Sequence, residues 1–428
     1  MLDIKFIREN PELVRQGIKN KNETDKLNDL LKLDEQRREL ILKTDELKHK
    51  RNQVSSQIPQ MKKAGQDVSS VLAEMKSVSD QISDLDSQLR EIEQKLENIL
   101  MFIPNMPHES VPVGKSSGDN AVVREWLPDG FSFSKETSNE KTLDHIELGK
   151  KLKVLDFERG AKISGSGFPL YTGKGATLER ALINFMLDFH LKNHGYSEVF
   201  PPFLVNSDSM RGTGQLPKMA EDMYYIEKDE LYPIPTAEVP ITNIYRNEII
   251  NENELPIKHV GYSACFRREA GSYGKESKGF LRVHQFNKVE MVKLVKPENS
   301  YDELEKLVKD AEDILQALKI PYRILLLCTG DLSFAAAKCY DIETWSPAEN
   351  RWLESSSCSN FENFQARRAN IRFKNGLTKK PEFVHTLNGS GLATSRLMVS
   401  LLEMYQTPEG KVIVPEVLQN YTNFNVID

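Results

Sequence analysis

From Val68 to Ile99 the apolar positions recur in sevens. Val68, Met75, Ile82, Leu89 and Leu96 form one series, and Val71, Val78, Leu85, Ile92 and Ile99 form a second, three residues further on. All ten are apolar, and the alternating steps of three and four place them on one seam of a coiled-coil helix. A weaker version precedes it. Leu33, Leu40, Leu47, Val54 and Met61 keep the seven-residue step, while their companions Leu30, Arg37, Thr44, Arg51 and Ile58 include three polar residues. Between the two runs, the segment Gln57 to Asp67 contains Pro59 and Gly65, which predicts a turn. Two heptad helices joined by a turn predict an antiparallel hairpin arm over about residues 27–103. At ~1.5 Å per residue the arm is on the order of 45–50 Å long.

A shorter helix is predicted ahead of the arm. Asn10-Pro11-Glu12 reads as an N-cap, a proline at the first helical position and an acid in the first turn, with the helix running to about Lys19. After Ile103 the texture changes. Residues 104–120 include Pro104, Pro107, Pro112, Gly114 and Gly118 and read as a linker. From residue 121 to 428, strand-like runs alternate with amphipathic helices and no heptad persists. A helix is predicted from Thr177 to His194, with Leu178, Leu182, Phe185 and Phe189 on one face and Gly195 as its stop. A second is predicted from Asn299 to Leu318, and a final one from about Leu392 to Tyr405. Strands are predicted over Glu198–Phe203, Tyr262–Arg267, Phe286–Val295, Tyr322–Cys328, Cys339–Trp345, Glu354–Ser359 and Phe364–Phe373. No regular βαβ alternation and no P-loop motif occur, which disfavours a Rossmann or P-loop nucleotide site. The expected architecture is α+β: a helical region 1–103 carrying the coiled-coil arm, a linker 104–120, and a domain 121–428 built on a mainly antiparallel sheet flanked by helices.

Charge sharpens the picture of the arm. From Lys32 to Lys63 there are nine Lys/Arg and five Asp/Glu, whereas from Asp67 to Glu97 there are three and eight. That asymmetry fits complementarity between the two helices, and it equally fits a basic face presented to phosphates. The whole chain of 428 residues has a net charge of −6, so any polyanion site must be a local patch. The longest clean apolar run, Ile324 to Cys328, is too short to span a bilayer, so no membrane association is expected. Met1-Leu2-Asp3-Ile4-Lys5 carries charge where a signal peptide needs apolar residues. Cys265, Cys328, Cys339 and Cys358 form no C-x-x-C pair, so a disulfide framework and a Cys-rich zinc site are both disfavoured, and a cytoplasmic location is expected. His190 and His194 lie four apart on a helix, but Leu191 stands where a zinc protease needs glutamate.

Three clusters carry candidate chemistry. Phe266-Arg267-Arg268-Glu269 precedes a glycine-containing loop, Ala270 to Gly279, and Arg282, His284, Gln285 and Phe286 follow it. Arginines on paired strands with an aromatic nearby suit a nucleoside triphosphate, with guanidinium on phosphate and ring on base, though a surface hairpin with ordinary ion pairs has the same pattern. Asn388-Gly389-Ser390-Gly391-Leu392-Ala393-Thr394-Ser395-Arg396 leads small residues into a helix with an arginine in its first turn, which suits an anion. Thr236-Ala237-Glu238, Glu290 and Glu354-Ser355-Ser356-Ser357 supply scattered carboxylates and hydroxyls, able to hold an ammonium, a hydroxyl, or Mg²⁺ on phosphate.

Taken together the clusters form a pattern. The string His259 to Glu290 resembles motif 2 of the class II aminoacyl-tRNA synthetases, Asn388 to Arg396 resembles motif 3, and Gly195 to Pro202 resembles motif 1, the dimer-interface element. With Pro235-Thr236-Ala237-Glu238, the run Ser357 to Arg368 and the N-terminal hairpin, the chain resembles the bacterial-type seryl-tRNA synthetases over essentially its whole length. That resemblance implies a ligase that activates L-serine with ATP and Mg²⁺ and transfers it to tRNA(Ser), and to tRNA(Sec) where that tRNA exists. It implies a homodimer and no zinc. It places Arg267 on the α-phosphate and the serine carboxylate, Arg268 beside the nucleotide, Glu269 on the adenine amino group and Phe286 on the adenine face. Arg396 falls on the γ-phosphate, and Arg282 is a further phosphate-side group. Glu354 and Ser357 become the Mg²⁺ ligands, with Ser355 and Ser356 beside them. Thr236, Ala237, Glu238, Arg267, Glu290 and Ser390 become the serine pocket. Lys43, Lys48, Lys50 and Arg51 of the arm, with Lys275 and Lys278 of the motif 2 loop, become the tRNA contacts. Lys275 and Lys278 stand where relatives often have arginines, Ser355 replaces a typical aliphatic, and Thr394-Ser395 replaces a Val-Gly pair. Two other classes share parts of the pattern: a paralogue that activates a carboxylate without charging tRNA, and a coiled-coil scaffold with an inactive domain. The intact arm speaks against the first, and the presence of Arg267 and Arg396 against the second.

Overall fold

A computed structural model of the chain describes residues 1–131, 133, 142–270 and 278–428. Those residues divide into two compact units, Met1–Pro104 and Asn105–Asp428.

The first unit is helical: α1 (Ile4–Glu9), α2 (Pro11–Asn20), α3 (Leu27–Lys63) and α4 (Ser69–Leu100). Pro11 opens α2 as expected, but Asn10 does not cap it with its side chain. Its Nδ2 instead donates back to the Phe6 carbonyl at 3.0 Å, closing α1. α3 and α4 pair along the heptad seam, where Met75, Val78 and Ile82 bury against Leu47, Val54 and Val71. Lys48 pairs with Asp86 at 3.1 Å and Lys50 with Glu74 at 2.7 Å, which is the antiparallel arrangement the two seams require. Asp34 is fully buried at the base of α3 among Arg8, Arg37 and Arg38. Burial raises its carboxyl, but the hydrogen bonds and charges of Arg8 and Arg37 outweigh that and hold it below the usual range. The predicted turn is shorter than Gln57–Asp67. α3 continues through Pro59 to Lys63, because Ile58 and Met61 extend the half-buried seam, and the reversal falls at Gly65, with φ +70°.

The second unit carries fifteen strands: β1 (Ala121–Trp126), β2 (Ser197–Glu198), β3 (Leu204–Asn206), β4 (Leu231–Pro233), β5 (Ile249–Asn251), β6 (Ile257–Phe266), β7 (Gln285–Val295), β8 (Tyr322–Leu326), β9 (Lys338–Ser346), β10 (Arg351–Asn360), β11 (Arg372–Lys374), β12 (Pro381–Phe383), β13 (His385–Ala393), β14 (Val412–Ile413) and β15 (Val426–Ile427), counted among the described residues. Its helices are α5 (His145–Lys151), α6 (Phe157–Ser164), α7 (Gly173–Asn193), α8 (Ser207–Thr213), α9 (Glu238–Asn243), α10 (Ser300–Ala317), α11 (Phe364–Ala369), α12 (Thr394–Met404) and α13 (Glu416–Thr422). Eight strands form one sheet in the order β1-β8-β9-β10-β13-β7-β6-β2, antiparallel throughout except where β2 joins β6. The core lies between that sheet and α7, α10 and α12. Leu178, Leu182, Phe185 and Met186 of α7 join Leu304, Leu307 and Ile314 of α10 and Leu397, Leu401 and Leu402 of α12 against strand residues such as Val289, Met291 and Ile342. The expected α+β architecture is the one observed.

Local expectations fail in four places. The strand expected over Glu198–Phe203 pairs only at Ser197–Glu198, since Pro201 and Pro202 have no N–H to give a ladder. Phe364–Phe373 is not a strand. Phe364–Ala369 is a helical turn with Phe364, Gln365, Ala366 and Ala369 buried, ended by Asn370 in the left-handed region, and pairing resumes only at Arg372. Leu392 and Ala393 belong to β13 rather than to the following helix, and α12 is not final, since α13 lies beyond it. The stretch expected as a linker, residues 104–120, is hydrogen-bonded to the second unit from residue 105 onward. The buried Asn105 amide donates to the carbonyls of Ala335 and Phe361 at 2.9 Å each, His108 N–H donates to the Ala337 carbonyl, and Thr329 N–H donates to that of Pro112.

Candidate active site

β6, β7, β10 and β13 lie near or beside one another in the sheet, and their shared face borders a cavity of about 470 Å³. On β7, strand alternation brings Phe286, Lys288 and Glu290 to that face while Val289 and Met291 enter the core. Arg267 follows the end of β6, where its backbone N–H donates to the His284 carbonyl and its Nε to the Pro235 carbonyl at 3.3 Å. Its guanidinium carbon lies 5.2 Å from the centre of the Phe286 ring, a cation–π approach that fixes both groups. Glu269, in the left-handed region at φ +52°, accepts from Arg282 Nη1 at 2.9 Å.

Motif 3 enters from β13 and α12. Ser390 sits opposite Glu290 in the β13–β7 register, and its carbonyl accepts from Ser356 Oγ at 2.6 Å. The strand is braced from behind by His190, whose Nε2 lies 3.3 Å from the Gly391 carbonyl oxygen. A Cβ at Gly391 would come within 2.5 Å of that ring. Burial pushes His190 down to about 3, so it is neutral. Its Nδ1 meets His194 Nδ1 at 2.9 Å, and His194 faces Asp313, so this histidine pair is part of the fold's interior. Arg396, in the first turn of α12, donates from Nη1 to the Glu354 carbonyl at 2.9 Å.

β10 carries an irregularity between Glu354 and Ser356, which lets Glu354, Ser355, Ser356 and Ser357 all border the cavity. Their hydroxyls are not equivalent. Ser355 Oγ is bound to Thr344 Oγ1 at 2.7 Å, away from the cavity, and Ser356 Oγ serves the Ser390 carbonyl. Ser357 Oγ lies 3.1 Å from Cys339 Sγ and opposite Asp341 in the strand register. Burial, then the charge of Glu354, pushes the Asp341 carboxyl well above the carboxylate range. Glu354 and Ser357 are hard oxygen donors of the kind that hold Mg²⁺.

Thr236 and Glu238 come from the turn entering α9. Glu238 is buried, accepts from Gln365 Nε2 at 2.6 Å, and is raised to about 7 by burial and by the neighbouring charge of Glu290.

The sequence-predicted residues Thr236, Glu238, Arg267, Glu269, Arg282, Phe286, Glu290, Glu354, Ser355, Ser356, Ser357, Ser390 and Arg396 all border this single cavity. Two do not. Ala237 is fully buried in a separate apolar cluster with Ile241 and Val292, and Arg268 is exposed at the strand end, its N–H bound to the Asp222 carbonyl. Lys278 is ion-paired with Asp144 at 2.8 Å, and Lys275 lies outside the described residues. In the arm, Lys43 is exposed and Arg51 half-buried, while Lys48 and Lys50 are in the ion pairs to α4. Among the residues that border the cavity, sequence reasoning missed Lys288. Counting two residues back from Glu290 on a strand would have found it.

Comparison with known proteins agrees across the chain. Residues 1–107 match a family model for the seryl-tRNA synthetase N-terminal domain, and residues 223–405 match one for the class II tRNA synthetase core domain (G, H, P, S and T). The chain is 61% identical over 431 residues to a serine–tRNA ligase of Chloroherpeton thalassium and 59% identical over 432 residues to one of Chlorobium phaeobacteroides, in both cases covering 100% of each chain. Among solved structures, a seryl-tRNA synthetase from Pyrococcus horikoshii complexed with ATP superposes with a TM-score of 0.92 at 40% identity, over 100% of this chain and 99% of that one. A cytoplasmic serine–tRNA ligase from Naegleria fowleri in complex with AMP superposes at 0.88 with 32% identity over the same shares.

Proposed function

This chain belongs to the seryl-tRNA synthetase family of class II aminoacyl-tRNA synthetases, and from that premise we propose that its cavity activates L-serine with ATP and that the protein transfers the seryl group to the 3′ end of tRNA(Ser). The observation that carries the reading is the convergence of Arg267, Phe286, Glu290, Glu354 and Arg396, drawn from the end of β6, from β7 and β10, and from α12, on one cavity.

The serine carboxylate is ionised at neutral pH, so the first step needs no general base. Its oxygen attacks the α-phosphorus, the bond from that phosphorus to the bridging oxygen breaks, and pyrophosphate leaves with the electron pair. Arg267 takes charge from the α-phosphoryl oxygens and orients the carboxylate, so it acts by alignment and electrostatic stabilisation. Phe286 stacks on the adenine while Glu269 accepts from its amino group. Arg396 and Arg282 hold the outer phosphates. Glu238 binds the serine ammonium, and Glu290 with Ser390 reads the side-chain hydroxyl. In the second step the terminal ribose hydroxyl of tRNA attacks the adenylate carbonyl, and AMP leaves.

Glu354 and Ser357 fit Mg²⁺ by donor type and by their common place on β10 at the cavity. Bound there with ATP, the ion would neutralise phosphate charge as pyrophosphate forms.

The arm and the motif 2 loop supply the tRNA contacts in this reading, through Lys43, Lys48, Lys50, Arg51, Lys275 and Lys278, and tRNA(Sec) is a further substrate where it exists. Lys48 and Lys50 keep exposed side chains while paired, and surface pairs of this kind are worth ~0.2–1 kcal/mol, so phosphate can compete for them. The protein acts as a homodimer in the cytoplasm. Phe200 supports the dimer: it is 74% exposed in the motif 1 segment, with its ring 5.7 Å from that of Phe203. No helix among the described residues is long and apolar enough to cross a membrane.

Pyrophosphate exchange into ATP, measured with each of the twenty amino acids, tests the assignment. Serine supports exchange, and threonine and alanine fall at least ~10²-fold lower in kcat/KM. Equal exchange with threonine refutes the serine pocket.

A further inference from the structure

Lys288 is central to the pocket and has no role in the mechanism above. It lies between Phe286 and Glu290 on the cavity face of β7 and is almost fully buried. Its Nζ stands 2.5 Å from Glu290 Oε2 and donates to Thr236 Oγ1 at 2.8 Å. Thr236 Oγ1 also accepts from the Glu238 N–H at 3.2 Å. A hydroxyl oxygen has two lone pairs and one hydrogen. With both lone pairs engaged, Thr236 can only donate, so it cannot receive the substrate ammonium and is suited to the substrate carboxylate. Glu290 Oε2 shows the converse. It is buried and has the Lys288 charge beside it, yet it accepts no hydrogen bond of ordinary geometry. A buried carboxylate oxygen that is neutralised but not hydrogen-bonded retains room for one donor.

We propose that Lys288 is the positioning residue that makes this pocket selective for a hydroxyl-bearing amino acid. It keeps Glu290 an acceptor-only carboxylate for the substrate hydroxyl, and it turns Thr236 into a donor. The inference rests on the serine reading of the cavity and deepens it. Without the lysine, Glu290 Oε2 is a buried carboxylate oxygen that has lost the cation beside it, and Thr236 Oγ1 has lost one of the two donors that fix its hydroxyl. Both groups then lose the orientation that the substrate hydroxyl and carboxylate need.

The test is pyrophosphate exchange by the full chain carrying Lys288→Met or Lys288→Gln. In both, serine KM rises ~30-fold or more while ATP KM stays within about threefold, and the serine-to-alanine ratio of kcat/KM falls at least tenfold. Lys288→Arg, which keeps the charge, recovers part of that ratio. If Lys288→Met fails to fold, as judged by circular dichroism, the glutamine variant decides the matter, since it keeps a donor to Thr236 without the charge. A serine KM and serine-to-alanine ratio within about threefold of wild type overturn the proposal. So does an equal rise in the KM of serine and ATP, which marks a general structural role. Failure of the serine reading is distinguished because it appears in the unmodified protein, as exchange with some other amino acid.

Discussion

The guanidinium of Arg396 reaches Glu354 twice, with Nη1 2.9 Å from its carbonyl oxygen and 3.2 Å from its carboxylate Oε2. In this arrangement the arginine occupies a carboxylate that the proposed chemistry assigns to Mg²⁺. In the proposed chemistry, ATP bound with its ion would exchange this one pair for two, arginine with phosphate and carboxylate with metal. Arg396→Ala is expected to raise the KM of ATP ~30-fold or more while moving serine KM less than about threefold. Glu354→Gln is expected to raise the Mg²⁺ concentration for half-maximal exchange at least tenfold, because an amide is a poorer ligand than a carboxylate. Exchange kinetics against ATP, serine and Mg²⁺ check both. Unchanged ATP KM in Arg396→Ala removes the arginine from the phosphate site.

Glu238 sets a pH dependence. Burial and the charge of Glu290 raise its carboxyl to about 7, so below that pH the free protein holds a proton where the proposed site binds the substrate ammonium. Serine binding displaces it. Serine KM should rise about tenfold per pH unit below 7 and level off above it, with ATP KM flat across the range. Calorimetry in buffers of different ionisation enthalpy should show proton release on serine binding near pH 6.5. Glu238→Gln should bind serine poorly at every pH. A serine KM constant between pH 5.5 and 8 would contradict the assignment.

Glu179 sets a dependence of a different kind, on stability. Its carboxyl is buried in α7, accepts at Oε1 from Asn287 Nδ2 at 2.8 Å and from Thr394 Oγ1 at 2.5 Å, and is raised to about 7 by burial. Between the ordinary glutamate range and about 7 the folded protein binds the proton that the unfolded chain has lost, so stability falls as pH rises through that window. Glu179→Gln keeps the accepting oxygen and removes the charge. It should match wild type near pH 5 and exceed it at pH 8 by as much as ~3 kcal/mol, read from denaturant midpoints at the two pH values. A variant less stable than wild type at pH 8 would show that the ionised form is the one the site prefers.

The arm separates two activities. Replacing residues 27–103 by a short Gly/Ser loop should leave serine-dependent exchange within a few-fold and collapse aminoacylation, mainly through tRNA KM. The affinity of the intact protein for tRNA should fall steeply with salt, by roughly one unit of log–log slope per neutralised phosphate, and that slope should flatten in the armless form. Neutralising Lys43, Lys48, Lys50 and Arg51 together should do part of the same. An armless protein that charges tRNA normally would leave the arm's charge asymmetry to the Lys48–Asp86 and Lys50–Glu74 pairs alone.

Where a single element carries its own periodicity, the sequence was enough. The seam residues of α4 are all buried or half-buried, and the predicted strands Phe286–Val295 and Cys339–Trp345 fall within one residue of β7 and β9. What escaped was information held between elements. Phe364–Phe373 looks extended because aromatic residues stand at both ends, but burial of Ala366 and Ala369 against neighbouring elements selects a helical turn. Asp341 carries no motif, and its place opposite Ser357 follows only from the β9–β10 register. Ser355 sits in the right string, yet its hydroxyl is taken by Thr344 across the hairpin. Lys288 was within reach, since it shares a strand face with two residues already assigned.

The cross-pairing of α3 with α4 also restricts how the chain can change length. Lys48 and Lys50 of the outgoing helix are matched by Asp86 and Glu74 of the returning one, and the reversal is at Gly65. Removing seven residues from α3 between Lys50 and the turn would keep its seam but slide the partners beyond the deletion by about two turns, taking Lys48 and Lys50 away from Asp86 and Glu74. The hairpin can therefore be shortened or extended only by matched deletions or insertions, one heptad from each helix at equal distance from the turn.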